Sequence, residues 1–220
     1  MAQSRSSSSL ADVSDDPIES VASFFQHNQK PLLYGAVGVA LVAAGALIWR
    51  SSQATASANA SKALYEAQAP MAEGKLPEAK SALEKVVARY GSTSSGSQAV
   101  LLLAQVLYEQ GQYDAGIAAL TKAAGGAPAE FSAPLQALLA AGYEGKGQLK
   151  EAAAAYGKAA KAARFPSDAK LYQASQARSL QAAGLVADAK AQWLQLAASE
   201  GEAYAQEARV RLGELAGAGK

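Results

Sequence analysis

The chain of 220 residues has no cysteine and one histidine, His27. The missing cysteine removes lipoprotein attachment and any redox signal; it fits an oxidising compartment without requiring one. A lone imidazole cannot build a metal site of the usual kind, and His27 stands far in sequence from any nucleophile and acid it could serve. No glycine loop ends in Lys-Ser or Lys-Thr, so a phosphate cradle is missing too. The carboxylates are scattered over helix faces. These absences predict no enzyme, no cofactor and no metal. An excess of one charge is also lacking: 20 basic against 19 acidic residues leave a net +1. Nucleic-acid binders normally carry a concentrated basic face, so no nucleic-acid partner is expected. Lys158, Lys161 and Arg164 do cluster, but they read as the solvated face of one helix. No period-two alternation is long enough for a strand, which predicts an all-α fold.

What the chain does have is a repeated glycine. Gly74, Gly111, Gly147 and Gly184 follow one another at 37, 36 and 37 residues. Each opens the same pattern. Two residues on comes a residue that covers a turn: Leu76, Tyr113, Leu149 or Val186. Five residues on comes a small one: Ala79, Gly116, Ala152 or Ala189. Nine residues on comes a bulky one: Leu83, Leu120, Tyr156 or Trp193. Seven residues before the last three glycines stand Ala104, Ala140 and Ala177. Glycine suits a left-handed helix cap, and facing small residues let two helices approach closely. The period marks stacked helix-turn-helix units. An alanine-rich bundle without repeat symmetry would not reproduce the pattern four times at matched spacing.

These residues resemble the tetratricopeptide repeat, whose period is about 34 residues. The extra residues fit longer turns between repeats, at Ser92–Gly96 and Gly125–Pro128. The first unit departs from the pattern, because Pro70 falls inside its leading helix. A partial fifth unit ending near Gly217 and Gly219 is expected to cap the stack. In this family the leading helices line a concave groove. The resemblance then implies a polypeptide-binding lining of Gln98, Leu101, Gln105 and Tyr108 from the second unit, Ala137, Ala141 and Glu144 from the third, and Ala174, Arg178 and Gln181 from the fourth. Such a mixed surface suits extended or unfolded polypeptide better than one charged tail. The alternative is that these residues are merely the solvated inside of a curved stack.

Pro31 to Trp49 contains no charged residue. At about 1.5 Å per residue the run spans about 28 Å, near the hydrocarbon thickness of a bilayer. Lys30 and Arg50 bracket it, and Tyr34 and Trp49 suit the two interfaces. About thirty residues of net negative charge precede it, which favours a retained anchor over a cleaved signal. Lys30 on one side against Arg50 and Lys62 on the other leaves orientation unsettled by charge. The expected organisation is a disordered tail over 1–15, a short amphipathic juxtamembrane helix over 16–30, and a transmembrane helix over 31–50. Residues 51–60 follow, either as a tether or as an outward continuation of that helix, and then a tetratricopeptide-like solenoid over 61–220.

The stretch Phe24-Phe-Gln-His-Asn-Gln-Lys30 before the anchor, and Trp49-Arg50 after it, resemble the YfgM-like family of bacterial inner-membrane proteins, ancillary subunits of the SecYEG translocon. That resemblance implies a cytoplasmic N-terminus and a periplasmic repeat domain. It further implies a role beside the translocon, passing exported chains to periplasmic chaperones. Two other readings stay open at this point: a scaffold for a cell-wall or outer-membrane assembly complex, and a cytoplasmic adaptor if the topology is reversed.

Overall fold

The computed structural model describes residues 29–199 and 203–217. The expectations for the tail over 1–15 and for nearly all of the 16–30 helix lie outside the described residues. The chain divides into two compact units, Met1–Gln53 and Ala54–Lys220. In the first, the described residues belong to helix α1 (Gln29–Ala72). Tyr34, Leu41, Val42, Leu47 and Ile48 are exposed there, as is Arg50, while the side chains of Lys30 and Trp49 lie outside the description. Among the described residues no helix is long and apolar enough to cross a membrane. Of the two readings for residues 51–60, a tether or a continued helix, the structure has the helix, and Ala60 is fully buried.

The second unit is a stack of helical hairpins. The end of α1 pairs with α2 (Leu76–Tyr90), α3 (Ser94–Glu109) with α4 (Tyr113–Ala124), α5 (Ser132–Gly145) with α6 (Leu149–Ala162), and α7 (Pro166–Ala182) with α8 (Val186–Ala197). A single helix, α9 (Ala203–Gly217), closes the series. Among the described residues there is no strand.

The glycines set the hairpins. Gly74, Gly111, Gly147 and Gly184 have φ of 73°, 72°, 71° and 74°, a region costly for any residue with a Cβ. Each makes the same pair of closing bonds. The glycine N–H reaches the carbonyl three residues back, and the next N–H reaches the carbonyl of the residue four before the glycine. Gln112 N donates to Leu107 O at 2.8 Å, and Gln148 N to Tyr143 O at 2.9 Å. This double closure satisfies carbonyls that a helix end leaves open.

The first unit is complete, contrary to the expectation from Pro70. That proline lies in the last turn of α1, and its carbonyl accepts the closing bond from Lys75 N at 2.8 Å. Pro70 costs one helical N–H bond and still supplies the acceptor the cap needs. Ala67 stands seven before Gly74 and is buried, like Ala104, Ala140 and Ala177. Opposite them Ala79, Ala152 and Ala189 are fully covered, so the helices meet on small residues. Leu83, Leu120 and Trp193 fill the space above, whereas Tyr156 is only half-buried.

The turn expected at Ser92–Gly96 is shorter than that, because α3 already begins at Ser94. Thr93 caps α3, accepting from Gly96 N at 3.0 Å. A Cβ on Gly96 would sit 1.8 Å from Tyr90 O, so this glycine serves a close crossing of α2 and α3. The Gly125–Pro128 segment is a connection, followed by a short 3-10 turn at Ala129–Phe131. Ala205 and Ala208 of α9 are buried, and Leu212 and Leu215 pack onto the cluster around Trp193.

Gly111→Ala is expected to destabilise the domain by about 1–2 kcal/mol, since alanine must adopt the left-handed region. Gly125, at φ −77° with open space around it, should tolerate alanine or gain slightly. Denaturant unfolding followed by circular dichroism distinguishes them; equal losses at both positions would contradict this account of the caps.

Candidate polypeptide-binding groove

The leading helices α3, α5 and α7 bring side chains to one open cleft of about 430 Å³. Leu101, Gln105, Ala137 and Ala141 line it together, as the repeat register predicts. Their neighbours are Pro134, Leu138, Leu171, Tyr172, Ser175 and, from a trailing helix, Tyr156. The lining is mainly aliphatic and aromatic, with a carboxamide, a hydroxyl and two phenols for orientation. It contains no ionic side chain. Chemically it can hold an extended segment by apolar contact and a few hydrogen bonds.

The other predicted lining residues lie outside this cleft, and most of them are committed elsewhere. Tyr108 is wedged between units: its hydroxyl donates to Leu138 O at 3.2 Å. A Cβ on Gly116 would lie 2.4 Å from its ring, and one on Gly142 would lie 2.1 Å from its Oη. Glu144 clamps two elements, accepting from Tyr156 Oη at 3.0 Å and from Ser179 Oγ at 2.7 Å. Arg178 makes a two-pronged pair with Glu207 of α9, at 2.8 and 2.6 Å. Gln181 Oε1 accepts the indole N–H of Trp193 at 3.2 Å. Gln98 is exposed on α3 and stands outside the cleft lining.

Ala174 requires a correction. Expected in the groove, it is fully buried in the cluster with Trp193 and Leu196. A methyl group at this position is covered by the large side chain that α8 carries, so α7 presents Leu171, Tyr172 and Ser175 to the cleft instead. A signal for two of the missed residues was present in the sequence. Gln98 stands thirteen before its glycine, and the same position in the next two units is Pro134 and Leu171. Tyr156 gave no such signal, because its place in the repeat marks it as hairpin filler.

The phenols are tuned by their surroundings. Burial, aided by Tyr143, pushes the Tyr108 hydroxyl well above the ordinary tyrosine value. Burial does the same for Tyr156, with the Glu144 carboxylate adding to it. Tyr172 shifts the same way through burial and Asp168. The hydrogen bond between Arg178 and Glu207 raises the guanidinium value and lowers that of the carboxylate. Among the described residues, no three of His, Cys, Asp and Glu come together as a metal would need.

The model of the tetratricopeptide repeat-like domain matches residues 61–175, just over half of the chain. The chain belongs to the tetratricopeptide repeat-like family. No curated protein matches it. Among solved structures it is similar to the nearly identical TPR-like repeats of a kinesin light chain-type protein of Podosopora anserina. Identity is 21%, over 70% of this chain and 83% of that one, with a TM-score of 0.54. A point variant of that protein gives 20% identity over the same shares, with the same TM-score. At such identity the likeness shows the fold, an all-helical solenoid of tetratricopeptide-like repeats. Repeats of this kind are protein-interaction modules.

Sign and direction of the phenol shifts fix a pH response. Tyr108, Tyr156 and Tyr172 hold their protons more tightly folded than unfolded. Their contribution is therefore complete below the ordinary value of 10.0 and declines as pH rises beyond it. Glu207 acts oppositely, contributing above its ordinary 4.5 and fading as pH falls below that. Melting temperature against pH should drop at both ends, and Tyr156→Phe should flatten the alkaline limb. A melting temperature that climbs above pH 10 would contradict the assignment.

Proposed function

We propose that this chain is a single-pass membrane protein whose repeats hold extended polypeptide close to the bilayer. The observation that carries the anchor is the lack of sidedness in α1. Leu41, Val42, Leu47 and Ile48 are each about 70% exposed, and at about 100° per residue they point to every side. A helix apolar all round belongs in a protein interior or in lipid. Left in water, each such side chain forgoes roughly 1.5–3 kcal/mol of burial. The bracketing Lys30 and Arg50 support the same reading.

The groove supports polypeptide as the ligand. Its four register-matched residues are two alanines, a leucine and a glutamine, which suits varied sequences better than a single charged terminus. Resemblance to the YfgM-like family extends the proposal: cytoplasmic N-terminus, periplasmic repeats, and a place beside the translocon from which exported chains pass to chaperones. Anchoring would raise the effective concentration of the groove for anything emerging there. The proposed role contains no chemical step.

The natural lack of cysteine makes topology simple to read. In intact spheroplasts a membrane-impermeant maleimide should label Ala216→Cys and leave Ser8→Cys unlabelled. A photocrosslinker replacing Gln105 should capture translocon or exported chains, and Ala141→Arg should reduce that capture several-fold. Labelling of the Ser8→Cys variant alone would reverse the topology. Capture that is indifferent to Ala141→Arg would remove the groove from the proposal.

A further inference from the structure

The trailing helices carry a second surface that the groove does not use. Eleven residues after the first three repeat glycines stand Lys85, Lys122 and Lys158, all exposed. Repeat equivalence puts them on the same face of α2, α4 and α6. Arg89 joins them from the last turn of α2. Among the described residues no carboxylate lies within ion-pair distance of these four cations. Each of these helices has an acidic residue in its first turn, Glu78, Asp114 or Glu151, and α2 carries one more, Glu84, in its middle beside Lys85 and outside ion-pair distance of it.

Complementing the helix dipole explains a basic residue near each C-terminus. It does not explain what lies between two of them. Arg89 and Lys122 flank a cleft of about 550 Å³ between the C-terminal ends of α2 and α4. Val87, Val100, Ala119 and Ala123 make its walls apolar, and its mouth is open. Two cations with no carboxylate in ion-pair range, Arg89 resting over the Tyr90 ring at 5.5 Å, stand beside an apolar pocket and are complementary to a carboxylate next to an aliphatic side chain. A flat anionic membrane surface would match the charge but has no use for the pocket.

We infer that the edge formed by the ends of α2 and α4 binds an acidic polypeptide segment, seating one of its apolar side chains between Arg89 and Lys122. Lys85 and Lys158 extend the positive stripe to either side, so the segment runs across successive repeats. This surface is separate from the concave groove, and it stands whether or not the groove holds exported chains.

The test uses the full chain in nanodiscs of zwitterionic lipid and a fluorescein-labelled Glu-Leu-Glu-Leu-Glu peptide, read by anisotropy. Saturable binding is expected that weakens with salt. The triple variant K85Q/R89Q/K122Q should bind roughly tenfold more weakly, from three exposed charge contacts. Ala119→Phe keeps every charge but fills the cleft, and should also weaken binding. The charge-matched triple K75Q/K150Q/K190Q should bind as the parent does, and melting curves check that each variant is folded. The inference is overturned by no saturable binding, by equal weakening in both triples, or by indifference to Ala119→Phe. It is also overturned if discs containing phosphatidylglycerol, without peptide, shield Lys85 and Lys122 from amine acylation, which would reassign the stripe to lipid.

Discussion

Four residues held near φ 72° decide the direction of every hairpin in the repeat domain. At each, the chain leaves one helix through the same pair of backbone bonds and enters the next within two residues. Only then can Ala67 meet Ala79, or Ala177 meet Ala189, closely enough to exclude water from both. The bulky residue nine positions on closes the space that this angle leaves. Glycine is needed for the dihedral, not for room, since nothing would touch a Cβ at any of the four sites. At Gly96, Gly116 and Gly142 the reverse holds, and room is the whole reason.

The distinction explains what could be read in advance. Hairpin geometry is local, so a recurring glycine and its small partners are visible as a spacing. The same register carried Leu101, Gln105, Ala137 and Ala141 to their shared cleft. Contacts between repeats depend on how far one hairpin rotates on the last, and no spacing encodes that rotation. Tyr108, Arg178 and Gln181 were expected at the groove for their register alone. Their bonds to Leu138, Glu207 and Trp193 depend on the side chains that neighbouring elements bring into reach. Ala174 was lost for a related reason, since a methyl group beside Trp193 has nowhere to go but inward. Pro70 misled in the other direction. A proline within a helix argues against that helix, but within its last turn it can serve as a cap acceptor.

The two faces of the domain differ in chemistry as well as in shape. The leading helices offer apolar and aromatic side chains with neutral polar groups among them. The trailing helices α2, α4 and α6 each carry an acidic residue in the first turn and a basic one in the last, with Lys80, Glu84 and Lys150 among them. A partner fitted to one face would have little to gain from the other.

The wedge of Tyr108 limits how this solenoid can be rearranged. Its ring needs a residue without a side chain in its own hairpin, Gly116, and another in the next, Gly142. Units of a repeat protein are often treated as interchangeable bricks. Here the second and third form a matched pair, and a unit spliced between them would have to bring its own hollow for the tyrosine. Lengthening or shortening the array is therefore easier at its ends than in its middle.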